Sequence, residues 1–412
     1  MQREQIVKYA RLLVEKGINI QPGQTLLLQA CLEAKDIALE VSKQAFERGA
    51  KDVVIQWDEP ELTRLRAEYC DAETLRSVKS YELEEIDDIL TNNGVQMGLN
   101  GTYPNLFDGI ENEKAFAIGQ HKNDLRNVVR KHIHQGMQWT GCAFPNKAWA
   151  TKVYPDLSPE DAHAKLEDAV CKMVRVNDDL DPIVEWDKHC ERLGTFSQWL
   201  NSLGLKSLHI TSELGTDITM EVVENHIWVS AGEMGDQERT PYIANIPTEE
   251  IFCDPHKLTV NGIAYASRPL IMNGKLVTDF SITFKDGKAV DCTAATNIDA
   301  LKETINKDAT SCYLGEVALV SKQSPITQTN TVFFNGLVDE NAASHLALGN
   351  SFPDCIKGGS KMSKEELDAC GVNSSAVHCD FMIGTPDFKV VGTTKAGETV
   401  TLMEHGDFVE TK

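Results

Sequence analysis

The sequence predicts an α/β N-terminal domain, with an open and largely parallel sheet flanked by helices, followed by a C-terminal α+β domain rich in antiparallel strands. Three observations carry this. Apolar strands alternate with helical periodicity over the first 60 residues. Short strands separated by turn residues take over beyond Leu205. The length of 412 residues exceeds that at which a single core keeps growing. Turn formers in Asn177-Asp-Asp-Leu-Asp-Pro182 set the expected boundary, giving a scaffold domain at 1–178 and a site-bearing domain at 179–412.

Ile6, Tyr9, Ala10, Leu13 and Val14 mark one helical face, with Gly17 as its stop. Thr25-Leu-Leu-Leu-Gln-Ala30 and Asp52-Val-Val-Ile-Gln-Trp57 read as buried strands around a helix from Glu33 to Arg48, a βαβ unit. Neither strand leads into GxGxxG or GxxxxGK[ST], so the common phosphate-binding loops are absent. Charged helical pattern runs from Glu61 to Glu85, a further helix from Asn112 to His132, and a strand over Met137 to Phe144. If Lys131-His-Ile-His134 is extended, His132 and His134 share a face as a possible metal pair. The competing reading is a hydrogen-bonded or exposed pair. Ser158-Pro-Glu-Asp161 combines a hydroxyl N-cap, an N1 proline and acids facing the helix dipole, so a helix starts there.

Ser207 to Thr211, Asp217 to Val223 and His226 to Ser230 read as strands, the last two joined by a hairpin turn at Glu224-Asn225. Ile263 to Arg268, Leu276 to Phe284 and Lys288 to Thr293 follow, with Gly274 and Asp286-Gly287 in the turns.

Apolar residues make up 42% and charged residues 25%, the composition of a water-soluble globular chain. The net charge of −22 repels phosphate backbones and anionic lipid, which argues against nucleic acid and membrane surfaces as partners. The polar start Met1-Gln-Arg-Glu-Gln does not resemble a signal peptide, and no run of 18 apolar residues occurs. Eleven scattered cysteines without a CxxC pair suit a cytoplasmic chain with reduced thiols. A redox-sensing role is the alternative for them, although Cys379 would point away from its neighbours on a strand.

The chemistry concentrates between Glu316 and Asp380. In Tyr313-Leu-Gly-Glu-Val-Ala-Leu-Val320 an acid sits mid-strand among apolar residues. Glu316 therefore needs a metal ion, a basic partner or a proton. His378 and Asp380 alternate with Val377, Cys379 and Phe381, so both project from one face; they read as ligands or as a mutual hydrogen-bonded pair. His345 follows Asn341 by four residues in what reads as a short helix from Asp339 to Gly349, and is a ligand or a core histidine. Glu340 stands at or before its first turn, where spacing does not fix its direction. Glu250, in Thr248-Glu-Glu-Ile-Phe, is a ligand or part of a solvated turn. Six such groups, four of them carboxylates, match the charge of two divalent cations (Zn, Co, Mn or Mg) that activate water for hydrolysis.

These motifs resemble the aminopeptidase T / aminopeptidase S family of metalloaminopeptidases. The matches are Pro247-Thr-Glu-Glu-Ile-Phe, Leu314-Gly-Glu-Val-Ala-Leu-Val, Glu340-Asn-Ala-Ala-Ser-His-Leu-Ala-Leu-Gly and His378-Cys-Asp-Phe-Met-Ile-Gly. Gly215-Thr-Asp, Ser267-Arg-Pro and Tyr9-Ala-Arg-Leu-Leu-Val14 extend the likeness over nearly the whole chain. The resemblance implies a dinuclear exopeptidase of broad N-terminal preference, acting on short peptides. It implies Glu250, Glu316, Glu340, His345, His378 and Asp380 as ligands, with Glu316 bridging, and a homodimer enclosing its active sites. Phe352 departs from the pattern, because the family carries a tyrosine near the site; a phenyl ring can neither bind metal nor donate to an oxyanion. Two other functions stay open: a two-metal amidase or esterase on non-peptide substrates, and a catalytically silent metal-binding homologue.

Overall fold

A computed structural model describes residues 1–176, 179–232, 240–272 and 274–409, without the His134 side chain. The chain forms two compact units, Met1–Asp187 with Arg239–Pro247, and Lys188–Glu238 with Thr248–Lys412. The start of the expected boundary turn, 177 and 178, lies outside the described residues.

In the first unit five strands pair in parallel, in the order Asp52–Asp58, Thr25–Cys31, Gly94–Asn100, Trp139–Ala143 and Asn245–Ile246. Leu26, Leu27 and Leu28 are fully buried in succession, as expected of a strand covered on both faces. The intervening helices are Lys35–Glu47 and Ser80–Thr91, and Arg3–Leu12 precedes the first strand. Ser158 caps the helix Pro159–Met173 by accepting from the Asp161 amide at 3.1 Å. The extended reading of 131–134 is corrected: this segment ends the helix Asn112–His134, and His132 Nε2 meets Asp87 Oδ1 at 2.8 Å. The charged, helix-favouring residues upstream carry the helix through both histidines.

The second unit holds two antiparallel sheets and a short ribbon. Eight strands run in the order Lys288–Thr293, Ser281–Lys285, Asn261–Tyr265, Asp217–Glu221, Leu205–Thr211, Lys389–Thr394, Thr399–Glu404 and Asp407–Phe408. Five more run in the order His378–Met382, His345–Gly349, Leu314–Val320, Glu250–Cys253 and Val229–Ser230. Ile210, Ile282, Phe280, Leu319, Leu346 and Phe381 belong to one core cluster drawn from both sheets. Two local expectations change. Asn225 takes a left-handed φ of 59°, but the strands it separates enter different sheets, so the turn makes no hairpin. The strand expected from Leu276 to Phe284 breaks at Asp279, whose φ is 46°. Its first half pairs locally with Leu270–Met272 and its second half joins the large sheet.

Among the described residues no helix is long and apolar enough to cross a membrane, and all eleven cysteines are free. Cys379 packs against the core cluster, and burial pushes its thiol up to about 12.

Candidate metal centre

The five-stranded sheet divides its residues by alternation. Ile251, Val317, Leu319, Leu346, Leu348 and Phe381 point into the core. The opposite face carries Glu250, Glu316, His345, His378 and Asp380. Register brings them together: Glu316 is opposite Ala347, Ala347 is opposite Asp380, and Glu250 is opposite Val320. His345 pairs with Ala318 and His378 with Gly349. Ala318, Ala347 and Gly349 stand among the acids and imidazoles and leave space that larger side chains would fill.

Gly315 sets the aim of Glu316. It occupies a register shift between Leu314 and Glu316, and a Cβ there would collide with the carbonyl oxygens of Gly349 and Asn350.

Donor atoms of Glu250, Glu316 and His345 lie within 4.8 Å of one another, as do those of Glu316, His378 and Asp380. Glu316 is common to both groups. His345 Nε2 is 3.2 Å from Glu250 Oε2 and 4.0 Å from Glu316 Oε1. His378 Nε2 is 3.2 Å from both Glu316 Oε2 and Asp380 Oδ1. Each imidazole is oriented from behind: His345 Nδ1 donates to the Ala343 carbonyl at 3.2 Å and His378 Nδ1 to that of Asn350 at 2.8 Å. That tautomer leaves Nε2 free to ligate, the usual arrangement of a metal-binding histidine.

Glu340, in the 3-10 turn Glu340–Ala342, stands outside both groups and half-buried, with Asp380 as its strongest charged neighbour. The expected helix over 339–349 is corrected. Helical turns end at Ala342, and His345 begins a strand, because the apolar run Leu346 to Leu348 is buried on both faces as the middle of the sheet. Asn341 does not neighbour His345; it is buried, accepts from the Glu249 amide at 2.6 Å and donates to the Leu337 carbonyl at 3.0 Å. Glu250 lies in a buried strand rather than a solvated turn. Phe352 packs edge-on against His378, ring centroids 5.0 Å apart, and against Phe252 at 5.3 Å.

The electrostatics fit divalent cations. Burial raises the Glu316 pKa, with Glu250 and Asp380 adding to it. Burial, then Asp380 and Glu250, push Glu340 well above the carboxylate range. Burial opposes charge on His345, yet Glu250, Glu316 and Asp380 outweigh it and hold its pKa up at about 10. Among the described residues no lysine or arginine pairs with these carboxylates. Asp380 Oδ1 is closed off from water without a hydrogen bond of sound geometry. Four acids against two imidazoles leave excess negative charge in a buried place, and cations relieve it. The residues present therefore fit a metal.

A proton linkage follows. In the metal-free protein the surrounding acids keep His345 protonated at neutral pH, and it must lose that proton to offer Nε2. Metal loading at pH 7 is expected to release at least two protons, one per imidazole and a further one from Glu340 to the extent that it is protonated, with affinity rising as pH rises. Calorimetry in buffers of different ionisation enthalpy measures the number; zero release would contradict both imidazoles as ligands.

Sequence reasoning missed the carbonyls of Ala343 and Asn350, which carry no side-chain signal. It also missed Asp254, fully buried, whose Oδ1 accepts from the Phe352 amide at 3.1 Å. An acid directly after the buried run Ile251 to Cys253 was the available sign.

An antiparallel sheet bearing two such donor groups defines a candidate metal-binding protein. The comparisons identify which. The profile of the thermophilic metalloprotease family (M29) matches residues 2–408, and the chain belongs to that family; it is a peptidase, as the resemblance implied. It is similar to aminopeptidase 2 of Geobacillus stearothermophilus, 37% identical over 406 residues covering 98% of each chain. Aminopeptidase T of Thermus thermophilus is 30% identical over 411 residues, 99% of each. The solved structure of wild-type AmpT from Thermus thermophilus superposes with a TM-score of 0.91, covering 99% of this chain and 100% of that one. A 2,5-dihydroxypyridine dioxygenase from Pseudomonas putida, at 10% identity and a TM-score of 0.52, shares the fold alone.

Proposed function

We propose that the protein is an aminopeptidase that removes N-terminal residues from short peptides at a centre of two divalent ions. Glu250, Glu316, Glu340, His345, His378 and Asp380 would hold the pair, and its identity is left among Zn, Co, Mn and Mg. The carrying observation is that two donor groups share Glu316. Bound there, two such ions supply an acidified water and a polarised carbonyl.

The chain's own residues perform the rest. Glu316 spans the two halves, while Ala343 and Asn350 hold the imidazoles by their carbonyls. Ala318, Ala347 and Gly349 keep the middle open. Hydrolysis adds the elements of water across the C–N bond, hydroxyl to the acyl carbon and proton to the departing amine. The aminopeptidase names of the relatives support a free N-terminus as the point of attack. We assign catalysis to 179–412 and scaffolding to 1–178, and place the protein in the cytoplasm as a homodimer that admits short peptides. These last assignments follow the family resemblance.

Metal-stripped protein is expected to be inactive and to regain cleavage of aminoacyl-p-nitroanilides when Co²⁺, Zn²⁺, Mn²⁺ or Mg²⁺ is added. N-blocked versions should resist. Cleavage of blocked substrates would favour a general amidase. Metal binding without any cleavage would favour a silent homologue, the reading that Phe352 beside His378 supports.

A further inference from the structure

A cavity of about 200 Å³ opens beside the centre. It is lined by His378, Asp380 and Glu340 together with Leu270, Ile271, Val332, Phe334 and Met382. It is smaller than the roughly 300–1,000 Å³ of pockets for drug-sized ligands, which leaves room for a single side chain. An occupant touching His378, Asp380 and Glu340 lies next to the proposed metal ligands, and therefore next to the bond that would be cut.

Two charged groups at this wall are already engaged. Asp339 faces the cavity, but its Oδ1 accepts from the Phe333 amide at 2.7 Å and its Oδ2 from the Asn335 amide at 3.0 Å. Arg268 precedes the wall residues Pro269 to Ile271 and donates to the Thr331 carbonyl at 3.0 Å. These two tether the loop that carries Val332 and Phe334. Phe334 takes a left-handed φ of 54°, a conformation that persists only where the surroundings impose it. Leu270, Ile271, Val332, Phe334 and Met382 give the wall its apolar part, its polar lining includes Asn335 and Asp339, and among the described lining residues there is no lysine or arginine to receive an acidic side chain.

We propose that this cavity receives the side chain of the substrate's N-terminal residue and selects medium-sized apolar side chains, leucine and methionine, over alanine and glutamate. The proposal rests on the aminopeptidase reading above. Each methylene matched by a hydrophobic pocket changes selectivity by about 10–200-fold. Metal-loaded protein should thus show kcat/KM for leucyl-p-nitroanilide at least about tenfold above the alanyl substrate, and the glutamyl substrate should be poorest of the three.

Two variants test the wall. Val332→Phe fills the cavity from the tethered loop. Ile271→Phe does so from a side chain already 37% exposed, where folding tolerates the change. Each is expected to lower the leucyl-to-alanyl ratio by about tenfold or more. Calorimetry with zinc-loaded protein supplies a reading independent of turnover: free L-leucine should bind more tightly than L-alanine or L-glutamate, and the preference should weaken in both variants. A ratio unchanged in both folded variants, with leucyl substrate still cleaved, overturns the pocket assignment alone. Failure to cleave any free-amine substrate overturns the aminopeptidase reading and the assignment with it.

Discussion

Glu316→Gln is expected to strip metal from both halves of the centre and to lower peptidase activity by roughly 10³-fold. Loss of an outer partner of a metal ligand costs about 10–100-fold, and loss of one stabiliser of transition-state charge about 10²–10³-fold. Glu316 contributes to both donor groups, so its loss exceeds the former and reaches the top of the latter. The shape of Gln is nearly that of Glu, so the strand Leu314–Val320 keeps its packing. In the absence of metal the variant should melt at or above wild type. Removing one of four crowded carboxylates still leaves three against two imidazoles, and it removes a buried acid whose pKa burial has raised. Metal content by elemental analysis and thermal melts of the stripped proteins separate the two effects. A variant that retains two ions per chain would remove Glu316 from its shared position.

Phe381→Ala is expected to cost about 3–5 kcal/mol of unfolding free energy, the range for deleting a buried aromatic ring. Phe381 is fully buried and sits 6.0 Å from the Phe280 ring, centroid to centroid. It occupies the strand that carries His378 and Asp380 but points to the opposite face, so its loss empties the core behind these two residues without touching them. Urea unfolding of the metal-stripped protein measures the cost. Saturating metal should recover part of it, because ions that bind only the folded sheet stabilise by mass action. A change under 1 kcal/mol would mean that the core collapses around the vacancy and that this strand is not held by its apolar face.

Much of the fold is written in local pattern. The apolar runs Thr25 to Ala30 and Asp52 to Trp57 did become parallel strands, although the second is the half-exposed edge of the sheet and not the buried strand its composition predicts. Ser158-Pro-Glu-Asp161 placed a helix start correctly because its cap is made within four residues. The alternation of His378 and Asp380 with Cys379 and Phe381 similarly foretold which face each takes. The segment from Asp339 to Gly349 was misread because Ala, Ser, His and Leu at helical spacing are equally compatible with a turn followed by a central strand. Burial on both faces decided the matter, and burial is a property of the neighbours. Asn225 adopted its expected backbone and still made no hairpin, since the partners of the two flanking segments lie far away in sequence.

By itself the sequence determined the residue types of the centre, the parallel and antiparallel classes of the sheets and the family to which the chain belongs. Acids and histidines amid apolar strands are legible because burying them unpaired is costly. Tertiary structure decided the rest. It brought Glu250 near His345 across 95 residues, set Glu316 between two donor groups, placed Glu340 beside them, and supplied two backbone carbonyls that fix the imidazoles. Register between strands fixes those relations, and register is settled by how whole apolar faces pack, not by any residue's own preference.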